Sequence, residues 1–412
     1  MIVWLITSGE VLPKDGERPH RAGMLSQVLE SRGHCLTWWT TSFDHQSKSY
    51  IYNKDTLVKL SERYHQIFLH SRWTYSKNIS LGRIMNHWEV GKKFHEISKN
   101  QVTPDIILCS FPTIDLSYWS VKYAVSKGIP VIADIRDLWP DIITNNFSSY
   151  LRPIAKAVLN RYYQKTRYIF THCSAITAVS EDYLKWGLKY SERIQGKTDV
   201  VFPLGYYEHD QLAIVEETRD AYYREIGLTP NKIILWFVGT FGKTYDMTTV
   251  LEAIKGLTST SSLDIQLVIS GDGERNLEWT RAASALDNVI FTGWVNAQQL
   301  KYLSNVADIG LMAYQKNAPQ GLPNKIYEYM ASGLAILSSL QTETKEILDK
   351  YRLGYTFEAG NVEDCKRMIS KIINNEDDLI KMKARSRELF QRKYLSSKIY
   401  NAFVTYLEAA VK

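Results

Sequence analysis

QGLPNKIYEYMASGLAILSS, residues 320–339, sets a polar loop, a short helix and an apolar strand in direct succession. Gln320 to Asn324 is a polar loop. Its Pro323 suits a first helical turn, because the N–H it lacks would have no partner there. Lys325 to Ser332 then reads as a short helix, with Ile326, Tyr329 and Met330 at i, i+3 and i+4 on one face and Lys325 with Glu328 on another. Gly333 suits the left-handed residue that ends a helix, and Leu334–Leu337 runs on as a buried strand. A loop feeding a helix N-terminus gathers free amides and the positive end of the helix dipole, which is a natural anion site. Glu328, one turn in, is placed to accept from two neighbouring hydroxyls. An ordinary connection with a solvated Glu–Lys pair fits the same spacing, so this stretch needs the rest of the chain to decide it.

At 412 residues the chain exceeds one ordinary core, and two domains are expected. Hydrophobic content of 45% with 23% charged residues describes a globular protein. No apolar run is long enough to span a bilayer, and MIVWLITSGEV at the N-terminus reads as a first strand, not a signal peptide. Cys35, Cys109, Cys173 and Cys365 are far apart without metal-type spacing and read as reduced thiols of a cytoplasmic protein. A net charge of +6 points to an anionic partner, and 26 Tyr and 11 Trp, many beside Lys or Arg, suit a membrane surface or sugars but equally any well-packed α/β enzyme. No nucleic-acid-binding motif accompanies these basic-aromatic patches.

Ile2–Thr7 reads as a strand, Ser8–Arg21 as a polar loop, Ala22–Arg32 as an amphipathic helix closed by Gly33, and His34–Thr41 as the next strand, which is the start of a doubly wound sheet. Gly16 in that loop lets a bound group approach the backbone, but no G-x-G-x-x-G is present, which argues against a dinucleotide cofactor. Further strands are expected at 66–69, 105–110, 130–134, 175–179 and 199–202. A second series follows at 233–239, 265–271, 289–293, 308–314, 335–339 and 354–357. The reading is two parallel α/β domains, 1–207 and 208–389, with a C-terminal helix 390–412 completing the first.

Ordered blocks in both halves resemble family-4 glycosyltransferases of the GT-B fold, in particular bacterial enzymes that build O-antigen, capsule or exopolysaccharide. They are RPHRAGMLSQVLESRGH (18–34), DIRDLWPD (134–141), AITAVSEDYL (175–184), FPLG (202–205), FVGTFGKTYDMTTVLEAI (237–254), LVISGDGERN (267–276), VIFTGWVNAQQLKYLSNVADIGLMAY (289–314) and LPNKIYEYMASGLAILSS (322–339). The resemblance implies two facing Rossmann-like domains and a retaining, metal-independent transfer of a hexosyl or N-acetylhexosaminyl group. The sugar moves from a nucleotide-sugar donor, UDP-linked, to a glycan acceptor carried on polyprenyl diphosphate. A nucleotide-sugar epimerase of the same architecture and a degenerate sugar-binding partner subunit are the alternatives.

On this resemblance Glu328 falls on the glutamate that holds the ribose hydroxyls. The family's first glutamate, directed at the donor sugar, is replaced by Gln320, which still accepts through its carbonyl but carries no charge. The amides of Gly321 and Leu322 face the donor's sugar or diphosphate, next to Asn324. Lys325 either reaches the same anion or pairs with Glu328. Where the family commonly has an Arg after Gly239 this chain has Thr240, leaving Lys243 as the cation over the leaving diphosphate. Gly293, Trp294 and Val295 lie against the base, with Trp294 either walling that pocket or belonging to the core, and Gly271 opens a turn near it. The D-x-D triplet that holds a metal on the diphosphate in the other major transferase architecture is absent, so no metal and no cofactor are expected.

On the acceptor side, Asp137 follows the strand 130–134 and is placed to orient or deprotonate a hydroxyl, its alternative being a bond to Arg136 or Arg18. Trp139 is expected to stack on a sugar, and Arg18, His20 or Arg21 to meet an acceptor phosphate. In 151–170, Leu151, Ala155, Val158, Tyr162 and Ile169 form a stripe flanked by Arg152, Lys156, Arg161 and Lys165. The stripe suits a helix packed on the first sheet. It also suits an interfacial helix on the inner face of the cytoplasmic membrane.

Overall fold

The computed structural model describes residues 1–10, 19–45, 47–77, 79–145, 147–207, 213–229, 231–260 and 264–411. Two compact units result, Met1–Leu204 with Ser396–Lys412, and Gly205–Leu395. The divisions thus lie at 204/205 and 395/396, where the sequence reading put 207/208 and 389/390. Phe390–Tyr394 stays with the second unit because it continues the preceding helix as a π turn, and its Tyr394 ring packs 5.0 Å from Tyr327.

In the first unit the strands are β1 (Ile2–Ile6), β2 (Cys35–Thr41), β3 (Phe43–Asp44), β4 (Ser49–Tyr50), β5 (Thr56–Lys59), β6 (Tyr64–Leu69), β7 (Ile106–Phe111), β8 (Val131–Ile135), β9 (Ala175–Ala178) and β10 (Val200–Val201). The main sheet runs β10-β9-β8-β7-β1-β2-β6-β5, and all neighbours are parallel except the edge strand β5 on β6. The sequence reading missed β5 and the β3–β4 hairpin. Both are short and partly exposed, with no apolar run to betray them. The parallel strands are buried on both faces and read as continuous apolar runs, as βαβ crossovers require. Trp4 anchors the core, stacked 5.0 Å from Tyr123 and edge-on to Trp39 at 5.1 Å.

The stretch 151–170 is not one helix. It breaks at Leu159 into Arg152–Val158, which has no buried residue, and Asn160–His172, which buries Thr166, Ile169 and Phe170. The core-facing stripe is therefore real only in its second half.

The second unit holds β11 (Ile233–Val238), β12 (Ile265–Ser270), β13 (Val289–Gly293), β14 (Ile309–Met312), β15 (Ala335–Ser338) and β16 (Gly354–Thr356), all parallel in the order β13-β12-β11-β14-β15-β16. Chain direction across the sheet reverses between β11 and β14. Loops diverge at such a switch point, opening a crevice at the carboxyl ends of the strands where α/β proteins bind ligands. The loops that leave β11 and β14 there are Gly239–Lys243 and the run ending at Asn324. The stretch 320–339 forms as read, with a helix at Lys325–Ala331, Gly333 at φ +65° and β15 behind it.

Candidate functional site

Lys325 is the unexpected centre of the second unit. Although it opens the Lys325–Ala331 helix, it is only 8% exposed. Its Nζ donates to the Val238 carbonyl at the end of β11 and sits 4.5 Å from the Phe237 ring centre and 5.1 Å from that of Tyr245. The ammonium lies so close beneath Gly239 that a Cβ on that residue would collide with it, and Gly239 itself holds φ +146°. Burial lowers the Lys325 pKa from 10.5 to about 8, with Glu328, one turn on, pulling the other way. Glu328 is half-buried and raises the Tyr245 phenol as well, after burial itself. A buried cation, a half-buried carboxylate and a tyrosine therefore converge under the Gly239 loop at the switch point.

Around them the loops are tightly tied. Gly271, at φ +127°, leaves no room for a side chain, because a Cβ there would meet the Gly239 carbonyl. Its amide donates to the Gly293 carbonyl at 2.7 Å, so the ends of β11, β12 and β13 lie side by side. The Gly321 carbonyl accepts from Thr342 Oγ1 at 2.7 Å and Thr344 Oγ1 at 2.8 Å, which pins the loop before the helix. The amides of Thr240, Gly321 and Leu322 donate to nothing among the described residues. Gln320 Oε1 is buried without a hydrogen-bond partner. An unsatisfied buried acceptor costs free energy, and a ligand hydroxyl would relieve it.

Not all expected donor-side groups join this cluster. Lys243 is 84% exposed, with its ammonium 3.7 Å from Glu274 and its amide donating to the same carboxylate at 3.1 Å. Trp294 is 68% exposed, Val295 is half-buried, and Asn324 is exposed with no capping bond. Sequence periodicity had Lys325 on a polar face with Glu328. It could not show that β11 would cover that face.

In the first unit two assignments need correction. Arg21 is not open to an acceptor. It is 3% exposed and donates from Nε and Nη2 to Asp134 at 2.9 and 3.0 Å and from Nη1 to the Pro203 carbonyl at 3.0 Å. Asp134 takes a further bond from Thr177 at 2.8 Å, so the pair is a satisfied core ion pair. Trp139 is not an open platform either. It is buried beside His87, with the Arg83 guanidinium 4.5 Å from its ring centre. His20 is exposed at the start of the Arg21–Ser31 helix, while Gly16 and Arg18 lie outside the described residues.

Asp137 lies past the carboxyl end of β8, where the reading put it. Burial raises its carboxyl pKa, opposed first by the Leu138 amide at 2.8 Å and then by Arg83. Arg83, His87 and Glu10 escaped the sequence reading. His87 is held neutral, its pKa lowered to about 3 by burial and then by Arg83, and Glu10 pairs with Arg136. Nothing local marks them, since each is recruited by tertiary contact. Among the described residues no group of three or more His, Cys, Asp or Glu is placed to hold a metal ion.

Residues 218–389 match the family model described as Glycosyl transferases group 1. The uncharacterized glycosyltransferase MJ1069 of Methanocaldococcus jannaschii is 30% identical over 151 residues, 36% of this chain and 38% of that protein. The match thus spans well under half of that relative's length. Sucrose-phosphate synthase of Thermosynechococcus elongatus superposes with TM-score 0.71 at 15% identity, covering 99% of this chain and 98% of that one. Alr3699/HepE of Anabaena, solved in complex with UDP, gives TM-score 0.64 at 12% identity, covering 99% of each. These likenesses, with the two parallel sheets, give the chain the GT-B fold.

Proposed function

We propose that this protein is a retaining, metal-independent glycosyltransferase. It moves a hexosyl or N-acetylhexosaminyl group from a uridine-diphosphate sugar to a lipid-linked glycan in bacterial surface-polysaccharide assembly. The observation that carries the reading is the buried Lys325 ammonium beneath Gly239 with Glu328 one turn along, at the switch point of a sheet whose sequence matches the group 1 glycosyl transferase model. The UDP held by the HepE relative supports the choice of nucleotide. The ordered blocks resembling O-antigen and capsule enzymes support the polysaccharide role.

In this reading Glu328 accepts from the two ribose hydroxyls, and the amides of Thr240, Gly321 and Leu322 donate to the diphosphate or sugar. Lys325 neutralises charge that grows on the leaving diphosphate as the glycosidic bond breaks. Lys243 is a secondary, solvent-screened cation. Gln320 Oε1 takes a sugar hydroxyl and so contributes to the choice of sugar. The acceptor hydroxyl attacks from the face the diphosphate leaves, passing its proton to a phosphate oxygen, and Asp137 orients the acceptor. Gly293 to Val295 meet the base.

Radiolabelled nucleotide sugars incubated with the full chain, with and without polyprenyl-diphosphate glycans, test this directly. Label transferred to lipid is the expected outcome. Donor isomerisation without an acceptor, or binding without turnover in every donor tried, would overturn it.

A further inference from the structure

We infer that a basic pocket of the first unit, between the β3–β4 hairpin and the start of the Leu81–Ile97 helix, binds a phosphate or diphosphate group. Lys48 and Lys77 are its donors, and Arg83 adds charge beside them. The pocket encloses about 400 Å³, with Lys48, Tyr75, Lys77, Ser80 and Gly82 in its lining. Its walls come from the loops that leave the carboxyl ends of β2 and β6. β8 delivers Asp137 from the same end of these parallel strands, the end at which α/β sheets bind ligands.

The walls are braced before any ligand arrives. A Cβ on Gly82 would lie 2.5 Å from the Thr74 carbonyl, so loop and helix meet backbone to backbone. Asn86 Nδ2 donates to the Trp73 carbonyl at 2.7 Å, and Glu89 accepts from Ser71 Oγ at 2.9 Å and from the Arg72 amide at 3.0 Å. The Tyr50 hydroxyl donates to the Ser71 carbonyl and so ties the hairpin to the same loop. Ser80 caps the helix by accepting from the Arg83 amide at 3.3 Å. Bracing of this kind spares a ligand the cost of ordering its site.

Charge identifies the occupant. Lys48 Nζ lies 5.1 Å from the Tyr75 ring centre and 3.3 Å from His45 Nδ1, and the Arg83 guanidinium lies 5.7 Å from the same ring. Aromatic faces orient cations without neutralising them. Burial and then Arg83 lower the Lys48 pKa, although Asp44 pulls the other way, and burial lowers that of Arg83 against Tyr75 and Asp137. His45 is pushed down to about 4 by burial, then by Arg83 and Lys48. The field at all three groups is therefore that of an excess of positive charge, which a bound anion relieves. Half-buried Lys48 and exposed Lys77 bring flexible ammonium donors, which suit phosphate oxygens. Arg83 also covers the Trp139 ring and opposes the rise of the Asp137 pKa, so it links the pocket to the residue that orients the acceptor. Resting on the transfer reading, the occupant is the acceptor's own phosphate or diphosphate, the group that Arg21, committed to Asp134, does not meet.

Isothermal titration of the full chain with inorganic pyrophosphate tests it. The titration uses Lys325→Met, so that the second unit contributes little, and compares that chain with one also carrying Lys48→Gln and Lys77→Gln. The first should bind pyrophosphate, and the second at least roughly tenfold more weakly, because charge-assisted hydrogen bonds are lost. Thermal unfolding alike in the two chains shows that the fold is intact. No binding by the first chain, or equal binding by both, overturns the inference. Uridine diphosphate titrated into wild type reports the donor site separately. Geranyl diphosphate and glucose 6-phosphate then distinguish the sources of the group. Tighter binding of geranyl diphosphate, lost with the two lysines, supports the pocket and a lipid-carried acceptor. Tighter binding of glucose 6-phosphate, lost in the same way, supports the pocket with a phosphorylated sugar as acceptor, and then only the lipid-linked acceptor fails.

Discussion

Replacing Lys325 with methionine isolates the buried ammonium, because methionine keeps the length and removes the charge. The fall of the lysine pKa from 10.5 to about 8 corresponds to roughly 3 kcal/mol of burial cost on the charged form. Below pH 8 the group is charged in both folded and unfolded chains, and the folded state bears that cost. Between pH 8 and 10.5 the folded chain has lost the proton while the unfolded chain keeps it, so the cost disappears and stability rises with pH. Methionine removes the cost but leaves the Val238 carbonyl without its donor, at about 1–3 kcal/mol, and forfeits the contacts with Phe237 and Tyr245. These terms nearly offset, so the melting temperature should move by only a few degrees.

Ligand binding should not be so forgiving. Truncating one partner of a desolvated charge pair costs about 2–5 kcal/mol, so uridine diphosphate should bind Lys325→Met at least ~30-fold more weakly at pH 7.5. A bound diphosphate draws the Lys325 proton back, so wild-type affinity is full below pH 8 and falls as the free enzyme loses that proton. The expected decline is roughly tenfold between pH 7.5 and 9, while the variant should be nearly flat. Isothermal titration across that range measures both. A flat wild-type profile, or wild-type affinity in a folded Lys325→Met, would refute the placement of Lys325 at the diphosphate.

Four other outcomes are expected. Glu328→Ala should keep the melting temperature and lose about 10²-fold or more in donor affinity, since two hydrogen bonds to a carboxylate disappear; titration with uridine diphosphate checks this. Lys243→Ala, removing a solvent-screened cation already near Glu274, should change donor KM by less than about tenfold in the radiolabel assay. Arg21→Met should destabilise by roughly 3–5 kcal/mol in urea unfolding because Asp134 is left buried and unpaired, and a stability loss under 1 kcal/mol would contradict its core role. Transfer should survive overnight dialysis against EDTA, and activity restored only by added divalent ions would show that the diphosphate needs a metal.

The division of labour between sequence and fold is visible residue by residue. Apolar runs punctuated by glycine specify strands and helices through local sterics and hydrogen bonding, so the thirteen expected strands formed and only the short, half-exposed β3, β4 and β5 were missed. Glu328 and Gly333 were legible for the same reason, since one turn of helix and one left-handed residue are local facts. What the sequence could not decide was which side of each element would be covered. Covering depends on a second element packed from far along the chain. β11 closes over Lys325 and turns a helix-face lysine into a buried cation, while Asp134 and Pro203 draw Arg21 inward. Arg83 packs over the ring of Trp139. Val158, 78% exposed, stands in solvent although the stripe to which it belongs reads as core-facing. Local spacing specified the elements and the residue types at their ends. Which charges lose water depended on the packing of distant elements, because desolvation is a property of neighbours and not of spacing.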